Sequence, residues 1–337
     1  MPEQGFAKVT AAAAPFSCPG CGAGLETELD DDALRCASCG VRVGDADGVL
    51  DLVFDPDRTD ERAFYDGEYE GRRPDAERGG RDVRALVQHW TDPLWPEYGV
   101  LWDRLGDLSG KRVLLVGNGD SDRELYMLTQ EPEHVVFSDL SADGVRLVRN
   151  RYDLSPYEGR ITFAGLDAMN LPFPDGSLDV VYGSGIVHHL PDVGRFIAEV
   201  ARVLRPGGRA VFRDDAYAPT WQTAKRTWLR PLMLYTHWRE PVSPEDLRFT
   251  MEGGFREEVL GPQAREHGCE PWFHRIYFLY YFWTRALDRV FPRGFSERAR
   301  TSRVGPALLR ADRRLSRYEF VRKNTIRLIW GFDKPAR

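Results

Sequence analysis

The fold is decided by two neighbouring stretches, KRVLLVGNGDS at residues 111–121 and EHVVFSDL at residues 133–140. Each contains a short apolar run, which is typical of a strand buried on both faces of a parallel sheet. The first run ends at Gly117 and Gly119, before a helical stretch that the pattern predicts over residues 122–129. Glycines at a strand-to-helix turn allow the backbone to approach a ligand at the positive end of a helix. The turn therefore indicates a nucleotide-binding edge.

Asp139 ends the second run, about twenty residues after the two glycines. A carboxylate at this spacing can accept hydrogen bonds from both hydroxyls of a ribose. The same side chain could instead cap the helix that follows it. The glycines upstream favour ribose binding.

Two further motifs lie downstream, HHLPD at residues 188–192 and RVLRPGG at residues 202–208. With these motifs, the stretch from Val113 to Asp214 resembles the type 11-like group of class I S-adenosylmethionine-dependent methyltransferases. The resemblance implies an α/β, Rossmann-like sheet that is mostly parallel and whose last strand is antiparallel. It also places the last helix near residues 308–315 and the last strand near residues 324–335.

The resemblance implies S-adenosylmethionine as the cofactor and assigns its contacts. The glycines would lie beneath the methionine moiety, Asp139 would bind the ribose, and Asp167 would accept from the adenine amino group. Ala168 and Met169 would flank the ring, although core packing remains open for both, and Asp167 could be a solvated loop carboxylate. The full set of expected cofactor residues is Gly117, Asn118, Gly119, Asp139, Leu140, Asp167, Ala168, Met169 and Ser184.

Two positions depart from the pattern of this group. Leu115 stands where the first strand usually carries a carboxylate, and Ser121 stands where a third glycine is common. The missing carboxylate normally helps to orient the turn. A protein that binds S-adenosylmethionine without transferring its methyl group is therefore retained as an alternative.

Methyl transfer is an in-line displacement, so the nucleophile must lie within about 3 Å of the methyl group and lose any proton it carries. The candidate bases are His188, His189 and Asp214, with Asp215 beside them. All are expected at the carboxyl ends of strands, where ligands bind in open α/β sheets. A packing role for one of the histidines remains open.

Four of the five cysteines form two pairs with identical spacing, Cys18 with Cys21 and Cys36 with Cys39. Two residues between thiolates allow one tight turn to present both sulfurs to a tetrahedral metal, and four thiolates close the shell of a structural Zn²⁺. The segment resembles the zinc ribbons related to the Trm112 family, which partner or precede methyltransferases. The fifth, Cys269, is predicted to be an ordinary half-buried thiol.

The expected domains are a zinc ribbon over residues 1–53, a helical cap over 54–109 and a methyltransferase domain over 110–337 with a lid inserted at about 215–300. In the cap, Tyr65 and Tyr69 either touch the cofactor or pack on its rim. Residues 272–283 contain eight aromatic side chains and are predicted to form a buried helix of the lid. The alternatives are an apolar acceptor pocket or a membrane-facing surface.

The chain of 337 residues has 46 basic and 52 acidic side chains, but residues 284–337 alone carry 15 basic and 5 acidic ones. This basic segment folds back on the acidic body or meets a nucleic acid or an anionic membrane. No apolar run approaches the length of a spanning helix, and no secretory signal is recognisable, so we expect a cytoplasmic protein. Peripheral membrane contact is left open.

The sequence thus favours methyl transfer to an oxygen or nitrogen of a small or lipid-like acceptor, in secondary metabolism. The first alternative is an RNA methyltransferase that uses the ribbon for recognition. It is disfavoured because the ribbon is acidic, with Glu26, Glu28 and residues 30–32 all carboxylates that would repel phosphate.

Overall fold

A computed structural model describes residues 16–27, 33–46, 48–55, 58–70, 79–227, 254–280 and 295–336. Within these residues, one sheet contains eleven strands in the order β1-β2-β3-β4-β7-β6-β5-β8-β9-β11-β10. The strands are β1 Leu25–Thr27, β2 Ala33–Cys36, β3 Arg42–Ala46, β4 Val49–Asp51, β5 Arg112–Val116, β6 His134–Asp139, β7 Ile161–Gly165, β8 Leu178–Ser184, β9 Leu204–Asp215, β10 Glu270–Ile276 and β11 Arg327–Asp333.

Helices cover both faces of the sheet. They are α1 Thr59–Glu70, α2 Val87–Thr91, α3 Pro96–Leu105, α4 Ala142–Arg151, α5 Val193–Val203, α6 Pro219–Arg226, α7 Glu257–Glu266, α8 Phe295–Thr301, α9 Val304–Leu315 and α10 Glu319–Lys323. The helical stretch expected after the glycine turn is a 3₁₀ helix, Arg123–Gln130.

The central strands are buried on both faces, as the apolar runs predict. In β5, Leu114 and Val116 belong to one core cluster, whereas Val113 and Leu115 belong to another on the opposite face. Such alternation follows from the two-residue period of a strand. β5 to β9 are mutually parallel, and β11 runs antiparallel to β9. The predicted Rossmann-like sheet with an antiparallel last strand is therefore confirmed.

The helix predicted over residues 272–283 is wrong for its first part. Residues 270–276 form β10, which pairs antiparallel with β11. Trp272 packs on one face with Arg104 of α3, whose guanidinium carbon lies 4.3 Å from the ring centroid, while Phe273 packs on the other face. β10 is an outer strand whose side chains are partly buried or exposed, and because Trp272 and Phe273 pack at successive positions on opposite faces, its sequence lacks the alternation that distinguishes strand from helix. The rest of the predicted run, residues 281–283, lies outside the described residues.

The cysteine-containing segment extends the edge of the main sheet. β3 and β4 form a hairpin, and β4 pairs parallel with β7 through Val49 opposite Phe163 and Leu50 opposite Ala164. Phe16 packs on Phe173, with ring centroids 5.2 Å apart. The segment therefore shares a hydrophobic core with the methyltransferase-like sheet.

Much of the expected lid, namely residues 228–253 and 281–294, lies outside the described residues. Within the expected lid, α7 and β10 pack into the sheet domain. Among the helices that the structure describes, none combines the length and apolar character needed to cross a membrane.

Candidate active site

A cavity of about 140 Å³ opens at the carboxyl ends of β5, β6 and β7, beside β8. This is the edge at which ligands bind in open α/β sheets. Seven of the residues predicted from sequence line it: Gly117, Asn118, Gly119, Asp139, Leu140, Ala168 and His189. Met169, Asp167, Ser184, His188 and Asp214 lie outside its lining.

The glycine turn needs glycine for two reasons. Gly117 and Gly119 have φ values of 66° and 53°, in the left-handed region that other residues rarely adopt. A Cβ atom on Gly117 would collide with Ile186, and one on Gly119 would collide with the hydroxyl of Tyr69. Ile186 and Tyr69 therefore pack directly against the backbone of the turn, an approach that only glycine allows.

Asp139 fixes this turn through its carboxylate. Its Oδ2 accepts a hydrogen bond from the Gly119 amide at 2.7 Å, and its Oδ1 accepts one from the Ser141 amide at 3.0 Å. Burial raises the pKa of Asp139 to about 6, against the lowering effect of these amides. Ser141, rather than Asp139, is the N-cap of α4. The Asp139 carboxylate thus lies in the cavity wall, as ribose binding requires.

Asp167 is buried, so the alternative of a solvated loop carboxylate is wrong. Its Oδ1 accepts from the Met169 amide at 3.0 Å and lies 3.6 Å from Nε of Arg58, which lines the cavity. Among the described residues, its Oδ2 is buried without a hydrogen-bond partner. A buried acceptor without a partner is costly, and a ligand amino group would satisfy it. Met169 packs in the hydrophobic core. Its position thus agrees with the alternative of core packing.

At Leu115 and Ser121, the two positions that depart from the family pattern, other local hydrogen bonds replace the missing family residues. Leu115 is fully buried, and its carbonyl oxygen accepts from the Ser138 hydroxyl at 2.7 Å, while the Asn118 amide donates to the Ser138 carbonyl at 3.1 Å. Ser121 donates to the buried Glu124 carboxylate at 2.8 Å. Ser138 and Glu124 thus order the turn without a carboxylate in β5.

Ser184 faces away from the cavity and joins a second polar cluster. Its hydroxyl accepts from Nε of Arg213 at 3.0 Å, and Nη1 of Arg213 lies 3.5 Å from the buried carboxylate of Glu97. Tyr277 donates to the other oxygen of Glu97. This cluster lies at the carboxyl ends of β8 and β9, beside the candidate bases.

The structure brings the candidate bases together. The rings of His188 and His189 are 4.0 Å apart between centroids. Nδ1 of His188 lies 3.7 Å from Oδ1 of Asp214. Asp214 is fully buried, and its other oxygen, Oδ2, accepts from the indole of Trp330 at 3.0 Å. His189 lines the cavity, and its Nδ1 lies 2.9 Å from the hydroxyl of Tyr65. Asp215 instead forms an ion pair with Arg327.

Helix α1 closes the cavity and supplies residues that sequence patterns did not identify. Glu61, Tyr65 and Tyr69 of α1 line the cavity, and Arg58 precedes it. Arg62 anchors the helix, because its guanidinium donates to both oxygens of Asp51 in β4, at 3.0 and 2.6 Å. Tyr65 and Tyr69 were predicted as candidates. By contrast, nothing in the sequence around Arg58, Ile186 or Leu190 distinguishes these three residues from ordinary packing residues.

The four cysteine sulfurs lie within 4.8 Å of one another. Cys18 and Cys39 are 3.5 Å apart, and Cys21 and Cys36 are 3.4 Å apart, between sulfur atoms. Gly22 and Gly40 follow the two knuckles at φ values of 74° and 76°. These separations fit a tetrahedral ion with metal–sulfur distances of about 2.3 Å. Burial raises the pKa of the separate Cys269 thiol.

Comparison with known proteins relates the sheet region to methyl transfer enzymes. A family model described as a methyltransferase domain matches residues 114–212. The chain is 36% identical over 124 residues to 27-O-demethylrifamycin SV methyltransferase of Amycolatopsis mediterranei, covering 36% of this chain and 46% of that protein. It is 34% identical over 163 residues to phthiotriol/phenolphthiotriol dimycocerosates methyltransferase 1 of Mycobacterium ulcerans, covering 48% and 54%.

A third relative is matched over more of its own length. The chain is 31% identical over 155 residues to O-methyltransferase rstn1 of Aspergillus nomiae, covering 42% of this chain and 68% of that protein. By contrast, the chain spans about half of the first two relatives. Residues 114–212, which the family model matches, contain the glycine turn, Asp139 and both histidines.

Proposed function

Because the chain belongs to the methyltransferase-domain family, we propose that it transfers a methyl group from S-adenosylmethionine to an oxygen or nitrogen of a small or lipid-like acceptor. The observation that carries the proposal is the cavity, where a bare glycine turn, the Asp139 carboxylate and the nearby partnerless oxygen of Asp167 lie at one sheet edge. When bound, S-adenosylmethionine supplies an electrophilic methyl group on its sulfonium sulfur.

Each of these groups has a task in holding the cofactor. Asp139 accepts hydrogen bonds from the ribose, and Oδ2 of Asp167 accepts one from the adenine amino group, with Ala168 against the ring. Gly117, Asn118 and Gly119 form the floor under the methionine moiety, beside Leu140. Helix α1 excludes water from above with Tyr65 and Tyr69. Ser184 acts on the acceptor side through Arg213, rather than on the cofactor.

His188 is the proposed base for an acceptor that must lose a proton. Asp214 is buried beside it, and a buried carboxylate stabilises the imidazolium that forms on proton uptake. His189, bonded to Tyr65 on α1, holds the wall of the cofactor cavity. This division uses His188 and Asp214 for proton transfer and keeps His189 as a positioning residue.

The acceptor class rests on the names of the relatives. They include enzymes named for a rifamycin derivative and for phthiotriol dimycocerosates, which supports a bulky secondary metabolite or lipid.

The four-cysteine cluster supports a structural Zn²⁺ bound by Cys18, Cys21, Cys36 and Cys39. We divide the chain into a ribbon over residues 1–53, a cap over 54–109 and a methyltransferase domain over 110–337. The lid expected at about 215–300 excludes α7 and β10. Both elements lie within these bounds but pack into the sheet domain.

Calorimetric titration with S-adenosylmethionine and S-adenosylhomocysteine tests the proposal. We expect micromolar binding by the wild type, loss of binding in Asp139→Ala, and unchanged binding in Asp153→Ala, since Asp153 is an exposed carboxylate outside the cavity. Absence of binding by the folded wild-type protein would refute the cofactor. Binding without turnover of any acceptor in the proposed class would favour the non-methylating alternative.

A further inference from the structure

The two helices before the last strand form a cationic surface, here called the α9–α10 surface (residues 303–323). Arg303, Arg310 and Arg314 are exposed and recur at helical spacing on one face of α9. The opposite face is buried through Gly305, Leu309 and Asp312. The arginines therefore project away from the body of the protein.

These arginines differ from two others in the same basic segment. Within the described residues, Arg303, Arg310, Arg313 and Arg314 have no carboxylate within ion-pair distance, whereas Arg300 and Arg327 pair with Asp92 and Asp215 of the acidic body. Part of the basic segment thus folds back, as one reading of the sequence predicted. The α9–α10 surface does not, so its charge is available to an anionic partner.

Exposed apolar side chains lie among these charges. The exposed fractions are 51% for Val304, 50% for Tyr318 and 61% for Phe320, the largest value among the exposed large hydrophobic residues described. Arg322 and Lys323 follow Phe320 and both are exposed, and Lys323 pairs with Glu319 of the same helix at 2.7 Å. Basic residues mixed with exposed aromatic and aliphatic side chains are typical of surfaces that rest on the interface of an anionic bilayer.

The surface lies at the same sheet edge as the cavity. β10 pairs antiparallel with β11, which pairs antiparallel with β9, so Ile276 and Arg327 lie beside Asp215 at the carboxyl end of β9. Asp312 of α9 accepts hydrogen bonds from the backbone amides directly after β10, those of residues 278, 279 and 280. The α9–α10 surface is therefore tied to the edge at which the candidate active site opens.

We propose that the α9–α10 surface docks this protein on an anionic lipid bilayer, with its arginines on lipid phosphates and Phe320, Tyr318 and Val304 in the interfacial layer. An RNA would also bind the arginines, but the aliphatic Val304 gains nothing from phosphates or bases, whereas it gains from acyl chains. Docking would turn the carboxyl edge toward a source of lipid-like acceptor. That consequence rests on the proposed function, whereas the docking itself does not.

Co-sedimentation with sucrose-loaded vesicles tests the docking and needs neither cofactor nor acceptor. The full chain is mixed with vesicles of phosphatidylcholine alone or with phosphatidylglycerol added, at low and high salt. The test variant carries Arg303→Gln, Arg310→Gln and Arg314→Gln, and a second variant carries Phe320→Ser. The matched control loses the same charge at the opposite edge, through Arg112→Gln, Arg205→Gln and Arg265→Gln, and circular dichroism verifies that all variants are folded.

We expect binding only to the phosphatidylglycerol vesicles, weakened by salt. The partition coefficient should fall roughly tenfold or more in the triple test variant, and stay within about twofold of wild type in the control. Phe320→Ser should weaken binding while leaving its salt dependence intact. Equal loss in both triple variants, or equal binding to phosphatidylcholine alone, would overturn the proposal. So would an absence of vesicle binding together with tight, salt-dependent binding to a single-stranded RNA oligonucleotide.

Discussion

Asp139 combines a raised pKa with a proposed role, ribose binding, that requires its ionised form. Its folded pKa of about 6 exceeds the ordinary value of 3.8 because the carboxyl is buried. Between these two values the folded, cofactor-free protein holds the proton more tightly than the unfolded chain, so this group makes stability fall as the pH rises from about 4 to about 6. Above pH 6 it is a carboxylate, ready to accept from ribose hydroxyls.

Cofactor affinity should therefore depend on pH through this residue. We expect the Kd for S-adenosylhomocysteine to be constant above pH 7 and to rise by up to about tenfold per pH unit below pH 6. Asp139→Asn should bind weakly at every pH, with a flat profile below 7. Calorimetry across this range measures both, and an unchanged wild-type Kd between pH 7 and pH 5 would contradict the assignment.

The two histidines should separate kinetically. His188→Gln removes the proposed base, so kcat should fall about 100-fold while the cofactor Kd stays the same. His189→Gln disturbs the cavity wall and its bond to Tyr65, so the cofactor Kd should rise. His274→Gln is the control, because His274 is an exposed residue of β10 outside the cavity. The reverse pattern would exchange the two assignments.

For single residues, the sequence predicts hydrogen-bond acceptors and turn glycines well, because their spacing follows from strand and turn geometry. It placed Gly117, Gly119 and Asp139 on the cavity. It could not place Ser184, because a shift of one residue along a strand exchanges its faces, or Met169, which lies in the loop after β7. Arg58 also escaped prediction, since only the three-dimensional fold brings it to Asp167.

Helix α1 acts as a unit, held over the cavity from one side by the pairing of Arg62 with Asp51. Arg62→Gln should raise the cofactor Kd by up to about fivefold, because a partly exposed ion pair contributes no more than about 1 kcal/mol. Arg62→Lys should restore part of the affinity. The comparison is Arg205→Gln, which breaks the pair with Asp179 at the opposite edge and should leave the Kd unchanged. Equal effects of Arg62→Gln and Arg205→Gln would show that α1 is held by other contacts.

Elements with one covered face or an unambiguous turn at their end could be predicted from the sequence. Elements with neither feature could not. Strands β5 and β6 carry glycine and aspartate at their ends, which fix where they stop. β10 was predicted as helix because it begins a run rich in aromatic residues without strand alternation, and only pairing with β11 determines its conformation. Tertiary contacts, rather than local preference, decide such segments.

The whole molecule shares one sheet, so metal in the ribbon should support the entire fold. Phe16, Leu34 and Leu50 lie in the same core cluster as Phe173 and Val181 of the sheet domain. Metal analysis should find one zinc per chain, and strong chelation should lower the melting temperature by roughly 5 °C or more. Cys269→Ser should retain the zinc, whereas Cys36→Ser should lose it. Two separate unfolding transitions, with the later one insensitive to chelator, would contradict this coupling.

The position of β4 also determines which part of the site lies near the ribbon. β4 lies directly beside β7, and the loop after β7 carries Asp167 and Ala168. β8 and β9, which lead to His188 and Asp214, lie on the far side of β6 and β5. The ribbon therefore lies nearer to the loop that we propose for the nucleobase than to the residues that we propose for proton transfer. Loss of the metal should therefore first weaken the binding preference for adenine over hypoxanthine nucleosides. A decrease in the reaction rate of the bound cofactor should follow only later.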